Sequence, residues 1–181
     1  MNLDEIVLNI FRFISNYQTV SIFFYFYFFF YFVLLLYIFY LYFFEKNYRK
    51  FKRFSILLIL GFLIIYTLKY SVKRERPESA IIKKEDYSFP SAHAYFSTLL
   101  FIFSSNFIGI FFKFYSIITI FSLLCLSLHF LTDIIFSVLL AILLNFLFQS
   151  NFLEKVKMLM KEIVGKLIRK RKRVEKKVKR E

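Results

Sequence analysis

A chain of 181 residues that is 59% apolar and 23% aromatic, with 29 Phe, 13 Tyr and no Trp, is excluded as a soluble domain, since those sit nearer about 45–50% apolar. Its 26 Lys and Arg against 12 Asp and Glu give a formal charge of +14, a balance shared by nucleic-acid binders and by membrane proteins with basic cytoplasmic ends. The placement of charge decides for the membrane. No Asp, Glu, Lys or Arg occurs from Phe13 to Phe44, Phe54 to Leu68, Tyr87 to Phe112, Phe114 to Thr132 or Ile134 to Leu153, and most of these windows reach the roughly 20 residues a spanning helix needs. The one cysteine, Cys125, lies in an apolar window, which excludes an intrachain disulfide and a thiolate metal site.

In chain order, Met1 to Gln18 lacks the basic start and small-residue cleavage site of a signal peptide. Leu3, Ile6, Val7, Ile10 and Ile14 recur at helical spacing, opposite Asn2, Asp4, Glu5, Asn9 and Arg12. This predicts a helix lying in the membrane interface, with Asn2 as its cap. A first span follows over Val20 to Phe44, and a short second over Ser55 to Tyr70, extended by a snorkelling Lys69. A polar loop from Ser71 to Pro90 holds both prolines. The third span starts near Ser91 and turns around Ser104 to Lys113. The fourth runs from Phe114 to His129 and the fifth from Asp133 to Phe148. Past Asn151, Phe152, Val156, Leu159, Ile163 and Leu167 form an apolar stripe among lysines, and Arg169 to Arg180 is nearly continuous positive charge.

The predicted fold class is all-α: a polytopic membrane helix bundle of about five transmembrane helices, with an N-terminal interfacial helix and a basic C-terminal amphipathic helix. Residues 1–150 form the membrane-embedded part and 151–181 a basic tail. With five spans, the segment Glu45 to Arg53, the turn at Lys113 and the tail share one side, which the positive-inside rule makes the cytoplasm. Beside a membrane, the tail's cations are better suited to anionic lipid than to nucleic acid, so no nucleic-acid partner is expected. The Ser71 to Pro90 loop then lies outside. Its own cations (Lys73, Arg74, Lys83 and Lys84) run against the rule and call for another purpose.

Ionisable residues near hydrocarbon are costly and point to function. Lys69 ends the second span, His93 starts the third, His129 ends the fourth and Asp133 opens the fifth. Alternating direction brings all four ends to the outer face. The four-residue spacing of His129 and Asp133 lets the carboxylate accept from one imidazole nitrogen, fixing the tautomer and freeing the other nitrogen. Such a histidine can attack phosphorus, and a second, His93, can protonate the leaving oxygen. Lys69, Arg76, Ser91 and the backbone amides opening the third span are placed to hold phosphoryl oxygens. A metal site built from His93, His129 and Asp133 is the competing chemistry, but the surrounding cations oppose it. The Phe and Tyr runs read most simply as lipid-facing and packing surface, and Ser127 and Thr132 as local backbone hydrogen-bonders.

Lys69-x6-Arg76-Pro77, Pro90-Ser91-Ala92-His93 and Ser122-x6-His129-x3-Asp133, in that order, resemble the three-part signature of the type-2 phosphatidic acid phosphatase superfamily: K-x6-R-P, P-S-G-H and S-R-x5-H-x3-D. The resemblance covers Lys69 to Asp133. It implies a helical membrane enzyme in which His129 is the nucleophile, Asp133 its partner and His93 the general acid. Lys69, Arg76, Ser91 and Ala92 would bind phosphate, with no metal ion or other cofactor. Two positions depart from the pattern: Ala92 replaces its glycine, and Leu123 stands in place of its phosphate-binding arginine. The expected function is removal of phosphate from a lipid head group at the outer leaflet of a prokaryotic inner membrane through a phosphohistidine. Lipid A 1-phosphate is the favoured substrate, with undecaprenyl pyrophosphate and phosphatidylglycerophosphate as alternatives. Rivals of another class are a non-catalytic phospholipid-binding protein and a small transporter using the histidines as a proton relay.

Overall fold

Long apolar runs with only two prolines and three glycines leave the backbone to satisfy its polar groups within helices, as hydrocarbon requires. The computed structural model describes residues 3–14, 17–149, 158 and 161. Among these residues there is no strand, and the helices are α1 (Leu3–Ile14), α2 (Tyr17–Phe28), α3 (Phe30–Phe43), α4 (Tyr48–Val72), α5 (Ala92–Phe103), α6 (Phe107–Cys125) and α7 (Leu131–Leu147). Contacts divide the chain into compact units 1–144 and 145–181. The predicted cap Asn2 lies outside the described residues, as does the predicted tail helix apart from Met158 and Lys161, both helical and exposed.

Helices α4 and α6 are each long and apolar enough to cross a membrane, and Val20–Phe28 of α2 with α3 meets the same measure as a pair bent by 45°. The bend falls at Phe29, whose ψ of 1° leaves the helical range. The segment expected as the first span, Val20 to Phe44, is therefore two helices meeting at a bend. Helix α4 is longer than expected because Asn47 caps it, its side chain accepting from the Lys50 amide at 3.1 Å, which draws the basic segment into the helix. Helices α5 and α7 are apolar but have only 12 and 17 residues, so helix length alone does not reach five spans. The turn between α5 and α6 is confined to Ser104–Asn106, and Lys113 lies within α6. Helix α6 ends at Cys125, which leaves His129 in the connector before α7 rather than on a helix end.

Helix α5 is the centre of the bundle, with every residue from His93 to Leu100 buried. It packs against α4, α6 and α3, while α2 and α1 cover α6. Helix α1 departs from expectation at Asp4. Leu3, Ile6 and Ile10 are exposed, whereas Leu8 and Asp4, the latter assigned to the polar face, are buried. Its seat is fixed by the ion pair described below and by Val7 and Phe11, which pack against the buried cluster around Leu123.

The approach of α4 to α5 depends on Gly61. A Cβ added there would collide with Cε1 of Tyr95, a fully buried ring whose hydroxyl donates to the Leu57 carbonyl at 2.9 Å. Small residues at such crossings let membrane helices approach closely. Gly61→Ala is expected to lower stability in detergent by about 1–3 kcal/mol, read from thermal unfolding, and the same change should cost less in a Tyr95→Ala background.

Candidate active site

The polar loop between α4 and α5 is folded back on itself. Ser88 is fully buried: its amide donates to the Arg74 carbonyl at 2.8 Å and its hydroxyl to the Glu75 carbonyl at 2.9 Å. That closure brings Arg74, Arg76 and Asp86 over the ends of α4 and α7. Lys69, in the last turn of α4 and 4% exposed, donates to Asp86 Oδ2 at 3.1 Å and to the Tyr87 carbonyl. Arg76 grips the other carboxylate oxygen of Asp86 through Nη2 at 2.6 Å. Its Nη1 donates to the Leu128 carbonyl at 2.7 Å and lies 3.4 Å from His129 Nε2. The two predicted phosphate-binding cations thus converge beside the predicted nucleophile.

The orientation of His129 differs from expectation. Its Nδ1 is 2.7 Å from the Ser88 carbonyl and 3.8 Å from Asp133 Oδ2, so the hydrogen bond runs to the carbonyl and the carboxylate stands beyond hydrogen-bond reach. A carbonyl only accepts, so Nδ1 carries the proton and Nε2 keeps a lone pair directed to the Arg76 side. The tautomer is the expected one, but its acceptor is main chain. Burial pushes the imidazole down to about 4, with Arg76 and Lys69 adding to the effect against Asp133. The ring is therefore neutral at physiological pH.

Asp133 is fully buried and belongs to a second charged centre. Its Oδ1 accepts from Arg74 Nη1 at 2.7 Å and its Oδ2 from the Phe130 amide at 3.0 Å. Arg74 also binds Asp4 Oδ2 of α1 at 2.9 Å through Nη2, and its guanidinium lies 4.1 Å from the centre of the Phe130 ring. Asp4 takes the Thr132 amide at 3.0 Å and its hydroxyl at 2.8 Å. Thr132 is thus a long-range bonder. Burial raises Asp4, but the bonds from Arg74 and Thr132 outweigh it and hold the carboxyl below its ordinary value.

Ser91 caps α5, accepting from the Ala94 amide at 3.4 Å, and its own amide donates to Ser137 Oγ at 2.8 Å. Ser137 in turn donates to the Asp133 carbonyl at 2.7 Å, tying the start of α5 to α7. The Tyr95 amide returns to the Ser91 carbonyl at 3.1 Å, so the amides of half-buried Ala92 and of His93 are those that open the helix. His93 sits among three rings, with centroids 4.5 Å away at Tyr27, 5.0 Å at Tyr31 and 5.1 Å at Phe30. The cations Lys84, Arg76 and Lys69 act on it electrostatically. The aromatic runs therefore also enclose a site residue, which composition alone did not reveal. Leu123 is fully buried in an apolar cluster with Tyr27, Ala94, Leu126 and Leu128.

Of the four loop cations, Arg74 is committed to Asp4 and Asp133, and the Lys84 amine lies 4.9 Å from the centre of the Tyr27 ring. Lys83 and Lys84 join Arg76, Asp86 and Tyr87 in lining a hollow of about 460 Å³. Asp86, Ser88, Ser137 and Asp4 were missed in the sequence. The available cue for Asp86 was an acid pair, Glu85-Asp86, just ahead of the Pro90-Ser91 motif. Nothing in the sequence marked the Ser88 carbonyl.

The PAP2 superfamily model matches residues 52–156, more than half of the chain. No curated protein matches. Among solved structures, the chain is similar to the first transmembrane PAP2-type phosphatidylglycerolphosphate phosphatase from Bacillus subtilis, with a TM-score of 0.66 at 18% identity over 84% of this chain and 85% of that one. The chain belongs to the PAP2 superfamily and is a multi-pass membrane phosphoester hydrolase.

Removing one partner from a buried ion pair leaves an uncompensated charge. Arg74→Gln strands both Asp4 and Asp133 and is expected to cost about 3 kcal/mol of stability in detergent. Asp4→Asn keeps a side-chain acceptor for Thr132 and should cost less. Thermal unfolding of both single variants and the double variant checks this, with a coupling of at least about 1 kcal/mol expected between the two positions.

Proposed function

We propose that this PAP2 protein removes a phosphate from a lipid head group at the outer leaflet of a prokaryotic inner membrane. His129 Nε2 attacks phosphorus, its lone pair free because Nδ1 is engaged by the Ser88 carbonyl. The phosphorus–oxygen bond to the leaving group breaks, and His93 donates its proton to that oxygen. Lys69, Arg76, Ser91 and the amides of Ala92 and His93 hold the phosphoryl oxygens, where charge develops in the transition state. Asp133, 3.8 Å from Nδ1, stabilises the cationic ring of the phosphohistidine. Water then attacks phosphorus, gives its proton to His93, and releases inorganic phosphate and neutral His129. The observation that carries this reading is the approach of Arg76 to within 3.4 Å of the unprotonated nitrogen of a buried, oriented histidine.

The outward orientation is supported by the basic segment Lys46 to Arg53 at the opposite end of α4 from Lys69. For substrate, we infer a lipid carrying more than one phosphate, with lipid A 1-phosphate first and undecaprenyl pyrophosphate and phosphatidylglycerophosphate behind it. Lys83 and Lys84 in the hollow beside Arg76 support this, each close phosphate contact contributing about 1.5–3 kcal/mol. Arg74 does not, since its guanidinium is turned inward. The packing of Leu123 away from any charged role favours one second reading, a non-catalytic binder of phospholipid head groups.

Purified protein should release phosphate from at least one of lipid A, undecaprenyl pyrophosphate, phosphatidylglycerophosphate and phosphatidic acid, undiminished by excess chelator. His129→Ala should abolish turnover while retaining lipid binding. Lipid binding without turnover on the whole panel would establish the second reading instead. Changing Lys83 and Lys84 to Gln should raise KM most for the substrates with a second phosphate.

Because His129 acts unprotonated and His93 protonated, lowering pH through the usual histidine range should not reduce kcat/KM, and a fall should set in only as pH approaches about 4. An acid limb near 6.5 in a pH–rate profile, absent from a slow-leaving-group control, would contradict that assignment.

An impermeant thiol reagent applied to intact cells should label Glu85→Cys in the exposed loop. Protection of that position would reverse the orientation.

A further inference from the structure

Lys69 and Arg76 are the cations to which the proposed function gives the phosphoryl group, and in this structure their donors already meet on an anion. Asp86 Oδ2 takes Lys69 Nζ at 3.1 Å, and Oδ1 takes Arg76 Nη2 at 2.6 Å and Nε at 3.2 Å. Two oxygens of one planar carboxylate thus stand where two oxygens of a tetrahedral phosphoryl group would be gripped. The cations are enclosed, with side chains 5% and 9% exposed, while the Asp86 side chain is 43% exposed on the rim of the hollow. The carboxylate is therefore the outermost layer of the cluster, with open space to move into, and the cations are the fixed layer beneath it. Burial raises Asp86, yet Arg76 and Lys69 together hold it below its ordinary value, so it is an anion throughout the neutral range.

We propose that Asp86 is a displaceable internal anion: it occupies the Lys69–Arg76 cradle between turnovers, is driven off by the substrate's phosphoryl group, and returns to expel inorganic phosphate. This rests on the reading that Lys69 and Arg76 hold the phosphoryl group. Three consequences follow from the arrangement. The two buried cations never face the bilayer without a counter-charge. Monoanionic phosphodiester head groups, present at high local concentration around any membrane protein, must displace an intramolecular competitor before they occupy the cradle. Product release is exchange of one anion for another and leaves no cation bare.

The alternative role for Asp86 is to position the two cations, and the two roles have opposite signs on anion affinity. A binding-competent state populated only in part weakens apparent affinity by that fraction. If Asp86 covers the cradle nine-tenths of the time, removing its charge tightens anion binding about tenfold. The test is calorimetric titration of the full chain in non-ionic detergent with inorganic phosphate and with sulfate, neither of which requires turnover. Asp86→Asn and Asp86→Ser should each bind both anions about tenfold more tightly than the parent protein, and Asp86→Glu should stay near the parent value. In lipid phosphate hydrolysis, product inhibition by inorganic phosphate should tighten by the same factor in the two neutral variants. Weaker or unchanged anion binding in both neutral variants would overturn the proposal and make Asp86 a positioning residue. Tighter binding in a protein that hydrolyses no lipid phosphate would leave Asp86 as the internal anion and remove the catalytic reading. Hydrolysis with weakened binding would do the reverse.

Discussion

A cation or carboxylate brought to the end of an apolar helix cannot be left alone, because desolvating an isolated charge costs several kcal/mol even after relaxation. Everything at the Lys69 end of this bundle follows from that. Lys69 leaves hydrocarbon at the end of α4 and Asp133 is enclosed at the start of α7. Each needs a partner of opposite sign, and the loop after α4 supplies both. Asp86 reaches Lys69 and Arg74 reaches Asp133. Two ion centres thus stand side by side, with His129 between them, 3.4 Å from Arg76 of the first and 3.8 Å from Asp133 of the second. The loop needs no regular secondary structure of its own to hold its shape, since Ser88 stitches its two strands of chain together at Arg74 and Glu75.

The second centre has an unusual membership. Asp4 lies on a helix whose Leu3, Ile6 and Ile10 remain exposed, yet its carboxylate shares the Arg74 guanidinium with Asp133. The amphipathic N-terminal helix is consequently bound to the site by charge as well as by packing, through Thr132 in the residue next to Asp133. A helix that rests on the bundle through one buried carboxylate is seated in a specific register, which apolar contact alone would define less sharply.

Much of this was legible in the sequence, for reasons that can be stated residue by residue. Charge-free windows located the helical segments because hydrocarbon excludes charge, and the rarity of ionisable residues between Asp86 and Glu154 isolated His93, His129 and Asp133. What the sequence hid were choices made by tertiary contact. Periodicity placed Asp4 on the solvent side, and Arg74 overrode it by drawing the carboxylate inward. The four-residue spacing of His129 and Asp133 suggested a side-chain pair. The connector from Leu126 to Phe130, with Ser127 at φ 51°, instead points Nδ1 at a carbonyl 41 residues earlier in the chain. The cage around His93 was invisible for another reason: with aromatics at nearly a quarter of the chain, no single Tyr or Phe stands out.

The acceptor for His129 Nδ1 being a peptide carbonyl has a genetic consequence. A side-chain acceptor can be deleted by one codon change, whereas a main-chain oxygen is present whatever residue occupies position 88. The orientation of the imidazole is therefore insulated from substitution at its own partner, and drift at that partner is limited by the burial and hydrogen bonding that fix the backbone there. Inherited changes that misorient the ring must come from residues that shape the path of the chain, and a survey of variants confined to acidic and histidine positions would pass over them.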